Sequence, residues 1–198
     1  CFCSCTKYNY INGGTANGFH DCTMWEYFHT NSYDWDSKVV MIAHAGLKSL
    51  FDGTGEYKQI TFFGLTSNSI LRYMLENNYE RVTDIPVGKC QDIIQKLVAP
   101  KRIMLNDVPR GNRIQSGGGI ESAFVEYDGL VFDCIRGSLF LWTQRMAYND
   151  IEDTGEIARY IASRNQDGTR NERVASTDIQ TTNGVVHSLN YDFRFRNF

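Results

Sequence analysis

The residues of this 198-residue chain best suited to proton transfer, nucleophilic attack or metal binding are four histidines and six cysteines. His20, His29, His44 and His187 fall in different segments, so joint chemistry would need the fold to bring them together. Cys1, Cys3 and Cys5 crowd the start, while Cys22, Cys90 and Cys134 stand singly. Neither zinc-ligand spacing nor a Cys-x-x-Cys redox pair occurs. The three scattered cysteines are expected to behave as small buried apolar residues. No nucleophile elbow, phosphate loop, His-Glu-x-x-His or dinucleotide fingerprint is present. Gly117-Gly118-Gly119 lacks a following Lys-Ser/Thr and reads as a flexible turn. No catalytic set, metal site or cofactor is expected.

Two further features are chemically suggestive. Cys1 fits two histories: a fragment boundary, or maturation of a bacterial lipoprotein, which cleaves before a cysteine that carries acyl chains. Two or more chains would anchor the protein in a lipid bilayer, each buried methylene contributing about 0.8 kcal/mol. Asp34 and Asp36 flank Trp35 at a spacing too short for an EF-hand loop. Trp35 is the candidate exposed aromatic for stacking on a ligand, unless it packs beneath the helices. Trp142, inside Leu139–Trp142, is expected in the core.

The elements that must position these residues follow from pattern. Composition is that of an ordinary globular domain, 42% hydrophobic and 22% charged. Net charge is -3 and pI about 5.8, with no basic run, which argues against nucleic acid as a partner. Residues 1–19, rich in Asn, Gly, Thr and Tyr, read as an extended tether before a domain spanning 20–198. Thr23 and Glu26 have capping-box spacing and open a short helix. A second helix is expected from Asp36 or Ser37, with Val39, Val40, Ala43 and Leu47 inward and a bend at Gly46. Gln59–Leu65 reads as a buried strand. Thr66, Ser67 and Asn68 then cap a helix presenting Ile70, Leu71, Met74 and Leu75 on one face. Pro86 starts another, with Cys90, Ile93, Ile94 and Leu97 as its apolar stripe.

Beyond residue 102 the pattern turns to β. Asp128-Gly129 predicts a hairpin joining Ile120–Tyr127 to Leu130–Ile135, and Ser138–Thr143 a further strand. Glu156–Ser163 fits a short helix or a strand equally, and Asp167-Gly168 a second hairpin. From Val185 to Phe195, odd positions are apolar or aromatic, His187 aside, and from 188 the even ones are polar. That alternation predicts one long final strand with His187 facing the core, where a satisfied histidine is expected rather than a base. Helices first and strands later make an α+β domain.

Thr61-Phe62-Phe63-Gly64-Leu65-Thr66-Ser67-Asn68-Ser69-Ile70 is similar to the first motif of the fasciclin family, a strand ending in a turn that opens a helix. The family usually has Ala-Pro where this chain has Gly64-Leu65. Val174-Ala175-Ser176-Thr177-Asp178-Ile179-Gln180-Thr181-Thr182-Asn183-Gly184-Val185-Val186-His187 resembles the second motif. The resemblance spans about residues 20–195. It implies a wedge in which a β-sandwich or flattened barrel carries a helical layer. It also marks Thr66, Asn68, Asp178, Asn183, Gly184 and His187 as motif residues, read here as caps, turns and core. A Tyr-His pair linked to integrin binding in animal members is replaced by Gln95-Lys96, so the resemblance implies no integrin-type adhesion.

The functional expectation is a non-enzymatic adhesion or interaction module. Lipid at Cys1 would hold it on the outer membrane of a bacterium, at the cell surface or the periplasmic face. Its partner there would be an envelope protein complex, such as a TonB-dependent nutrient transporter with its surface lipoprotein, or a surface glycan. A secreted or periplasmic carbohydrate-binding module is the second reading. A hydrolase with a site assembled across elements is the third.

Overall fold

The computed structural model describes residues 18–30, 32–109, 129–145, 148–151, 154–155, 157–163 and 172–195. Helix α1 (Met24–Thr30) starts where the sequence predicts. The Thr23 N–H and hydroxyl both donate to Glu26, and the Glu26 N–H donates back to the Thr23 oxygen. Helix α2 (Ser32–His44) begins four or five residues earlier than expected. Its buried stripe is Trp35, Lys38, Met41, Ile42 and Ala45, not the one through Val40 and Ala43, which are exposed. Gly46, with φ of 71°, ends the helix rather than bending it. The Leu47 N–H reaches the Ile42 carbonyl and the Gly46 N–H that of Ala43, the paired bonds of a Schellman cap. A single turn, α3 (Lys48–Phe51), follows.

Strand β1 (Ile60–Gly64) is buried throughout because it is central: β2 (Val98–Ala99) pairs antiparallel on one side and β7 (Gly184–Leu189) parallel on the other. Between β1 and β2 run α4 (Ser67–Glu76) and α5 (Val87–Lys96). On α4 the inner face is Ser69, Ile70 and Met74; Leu71 and Leu75, expected inside, are 50% and 69% exposed. Adjacent helical residues lie 100° apart, so a stripe wide enough to include Ile70, Leu71, Met74 and Leu75 exceeds what one neighbouring layer covers. Helix α5 buries Cys90, Ile93 and Ile94, and Leu97 just beyond it, as its stripe predicts.

The remaining strands are β3 (Gly129–Asp133), β4 (Ser138–Arg145), β5 (Ile157–Ser163) and β6 (Glu172–Thr181). Glu156–Ser163, ambiguous in sequence, is thus a strand from Ile157. The hairpins predicted at Asp128-Gly129 and Asp167-Gly168, and Gly117–Gly119, fall wholly or partly outside the described residues. The seven strands form one sheet in the order β2-β1-β7-β6-β5-β4-β3. It nearly closes: the Ile135 N–H, just past β3, donates to the carbonyl of Val98 on the opposite edge strand. Trp142 is buried and stacks on Tyr160. Strand β7 stops at Leu189, shorter than the alternation suggests. The Phe193 N–H bonds the Asn190 carbonyl in a turn, leaving Tyr191 64% exposed while Phe193 and Phe195 return to the core. At the other end, Phe19 bridges Gln180 and the His20 N–H donates to the Gln180 carbonyl.

Candidate functional site

Four motif residues, Asp178, Asn183, Gly184 and His187, lie on β6, β7 and the turn between them, and their hydrogen bonds and close contacts show what each does. Asn183 is buried; its amide oxygen accepts from the Met24 N–H at 2.7 Å and its Nδ2 donates to the Phe51 carbonyl at 2.7 Å. One side chain therefore ties the start of α1 and the end of α3 to the sheet. Gly184 pairs with Ile60 across the parallel ladder, and a Cβ there would lie 2.1 Å from the Ile60 carbonyl oxygen. Only glycine permits that approach.

Asp178 sits at a register shift in β6, with φ of 58°. Its carboxylate accepts from the Leu105 N–H at 2.8 Å, and its own N–H donates to His187 Nδ1 at 3.2 Å. Because Nδ1 accepts, the proton of neutral His187 is on Nε2, which donates to the Ile103 carbonyl at 2.9 Å. The Ile103 N–H in turn donates to Thr61 Oγ1, which donates to the Lys101 carbonyl. This relay fixes the segment 101–105 against the sheet. Burial lowers the His187 pKa, outweighing its carbonyl bond and Asp178, and Arg159 pushes the same way as burial. With both nitrogens engaged and the ring 2% exposed, His187 has no lone pair to offer a substrate.

Thr66 caps α4, its oxygen accepting from the Ser69 N–H. Asn68 is exposed and donates to the Tyr191 carbonyl at 3.1 Å, tying α4 to the turn after β7. The other histidines do not converge on His187: His29 Nδ1 contacts the Trp25 carbonyl, His44 Nε2 that of Ile85, and His20 packs on Tyr27. Among the described residues no group of three or more His, Cys, Asp or Glu is placed to hold a metal ion. Cys90 and Cys134 are buried, which pushes their thiols up to about 11 and about 12. Cys22 is half-buried, contrary to expectation. Cys1 lies outside the described residues.

Trp35 is not an exposed ligand contact. It is 4% exposed and stacks on Phe28 at 5.2 Å. The Lys38 ammonium lies 3.0 Å from its ring centroid and about 5 Å from those of Phe28 and Phe62. That cage explains the departure at Gly64, where a Cβ would come within 3.0 Å of both Lys38 Nζ and Trp35.

A surface groove of about 500 Å³ opens between α4, α5 and Phe195. Tyr73, Ile93 and Phe195 line it with apolar surface; Glu76, Asn77, Lys89 and Asp92 supply polar groups. Sequence reading missed it because its residues come from three segments and share no spacing. Their common signal is confined to polar residues beside the apolar stripes of α4 and α5.

No protein-family model matches the chain, and no curated protein matches it. Among solved structures it is similar to a FAS1 domain pair from the insect cell adhesion molecule Fasciclin I, with 14% identity and a TM-score of 0.55. The likeness covers 86% of this chain and 50% of that one, so the chain spans about half the length of that domain pair. Its nearly closed seven-stranded sheet, helical layer and motif-built β6–β7 corner make this a fasciclin-like fold.

Proposed function

We propose that the chain is a non-enzymatic interaction module of the adhesion type, working at a bacterial outer membrane to which acyl chains on Cys1 hold it. The carrying observation is that the chemistry-capable motif residues are spent inside the fold. His187, Asp178 and Asn183 each hold backbone groups, while the groove and the exposed Leu71, Leu75 and Tyr191 face outward. The similar structure comes from a cell adhesion molecule, which supports the same class. The partner in this reading is an envelope protein, such as a TonB-dependent nutrient transporter with its surface lipoprotein, or a surface glycan.

Two measurements test this. Intact mass of the native protein should exceed the polypeptide mass by the acyl chains; an unmodified Cys1 rejects the anchor. Isolation from detergent-solubilised membranes should recover a stable complex of defined stoichiometry. A second reading, a secreted or periplasmic carbohydrate-binding module, draws on the groove and predicts an unacylated chain that binds glycans.

A further inference from the structure

We propose that the groove between α4 and α5 binds an acidic sugar, with the ring against Tyr73 and the carboxylate on Lys89. The proposal rests on the chain being a binding module and names the ligand of one surface. The volume, about 500 Å³, falls within the range of small-ligand sites. Its apolar lining is Tyr73 with the largely buried Ile93 and Phe195, and Tyr73 meets Phe195 edge-on at 5.0 Å and 90°. A half-buried aromatic side chain in such a lining suits the C–H face of a pyranose. Burial raises the Tyr73 pKa, with Tyr79, Cys90 and Asp92 adding to it, so the phenol stays a donor at neutral pH.

The rim matches hydroxyls. Asp92 is held in place by Arg136 at 2.8 Å and Lys96 at 3.3 Å, and Glu76 by Arg194 at 3.3 Å. Pairing fixes both carboxylates without exhausting their lone pairs, of which each oxygen has two. The Asn77 amide nitrogen donates to the Tyr73 carbonyl, leaving its oxygen without a donor among the described residues. Charge chooses between sugars. Of the charged groups that line the groove, Glu76 has Arg194 and Asp92 has Arg136 as a partner, so the charge left to answer is that of Lys89. Lys89 is exposed and makes no ion pair among the described residues. A neutral sugar would leave that charge unanswered; a uronic acid supplies one negative charge beside it.

The test is titration of the isotope-labelled chain with glucuronate, glucose and acetate, followed by backbone amide shifts. Glucuronate should shift amides around Tyr73–Asn77 and Lys89–Ile93 saturably, with a Kd of about 1 mM, as the modest efficiency of a ligand this small implies. Glucose should bind about ten-fold more weakly, the loss of one charge-assisted hydrogen bond. Lys89→Ala should abolish that preference, and Asn77→Ala should weaken both sugars; both positions are exposed, so the fold is kept. Acetate matching glucuronate would reduce the site to bare anion binding and overturn the proposal. So would shifts scattered over surface lysines, or no saturable shift. A chain that fails here but is recovered in a stable membrane-protein complex loses this ligand while remaining an interaction module.

Discussion

Asn183 bonds two backbone groups from separate helices, Met24 and Phe51. Asn183→Ala leaves both buried and unmet, so it should destabilise by roughly 2–4 kcal/mol, read as a lower urea midpoint at unchanged m. At His187 the sign follows from its lowered pKa. Below its ordinary value of 6.5 the unfolded chain takes up a proton that the folded ring resists, so the unfolded state gains. Stability is therefore full above about pH 6.5 and falls as pH drops, by at most about 1.4 kcal/mol per pH unit from this group. His187→Gln should flatten that part of the profile in urea titrations between pH 7 and about 5. Gly64→Ala should cost about 1–3 kcal/mol, because the methyl meets Lys38 and Trp35. In a double-mutant cycle with Lys38→Met the part of that cost due to the ammonium should vanish; additive effects would mean that Lys38 is not what requires glycine.

Helix α4 shows what a segment reveals about itself and what it cannot. Ile70 lies on its inner face, while Leu71 and Leu75 lie one step round. Ile70→Ala should cost about 2–5 kcal/mol, whereas Leu71→Gln and Leu75→Gln should each change thermal stability by no more than about 0.5 kcal/mol. Comparable losses at all three would place the outer face under cover. The sequence alone could mark the helix and its Thr66 cap, because cap and period are local. It could not choose between two adjacent apolar stripes, which depends on where β1 and α2 lie. The same limit explains Trp35, whose polar neighbours suggest a loop although α2 turns it onto Phe28. The β6–β7 corner was more legible, since Asn183-Gly184 is a contiguous signal. Its meaning was only half so: the groups Asn183 bonds are 159 and 132 residues away. The groove was not legible at all, being assembled from polar residues of α4 and α5 with Phe195 beyond the last strand.

Helices and strands share one interior across the molecule. The apolar cluster runs from Met24 in α1 to Phe195 after β7, and includes Phe132 on β3 and Ile161 on β5. Strand β6 joins the two ends of the sheet, pairing with β5 through Glu172 and Arg173 and with β7 from Val174 onward. The bond from Ile135 to Val98 links the far edges. Neither the helical layer nor the β4–β5 region can open without exposing the other's apolar surface. Unfolding should therefore be a single transition, tested by whether different probes coincide. Two variants separate the probes. One keeps Trp35 alone, in the helical layer; the other keeps Trp142 alone, on β4, the remaining tryptophans becoming Phe. In each, the fluorescence midpoint in urea should coincide with that of far-UV circular dichroism. A Trp142 transition that precedes the loss of helix would show the β4–β5 region opening first, and the sheet would then be two cooperative units joined at β6.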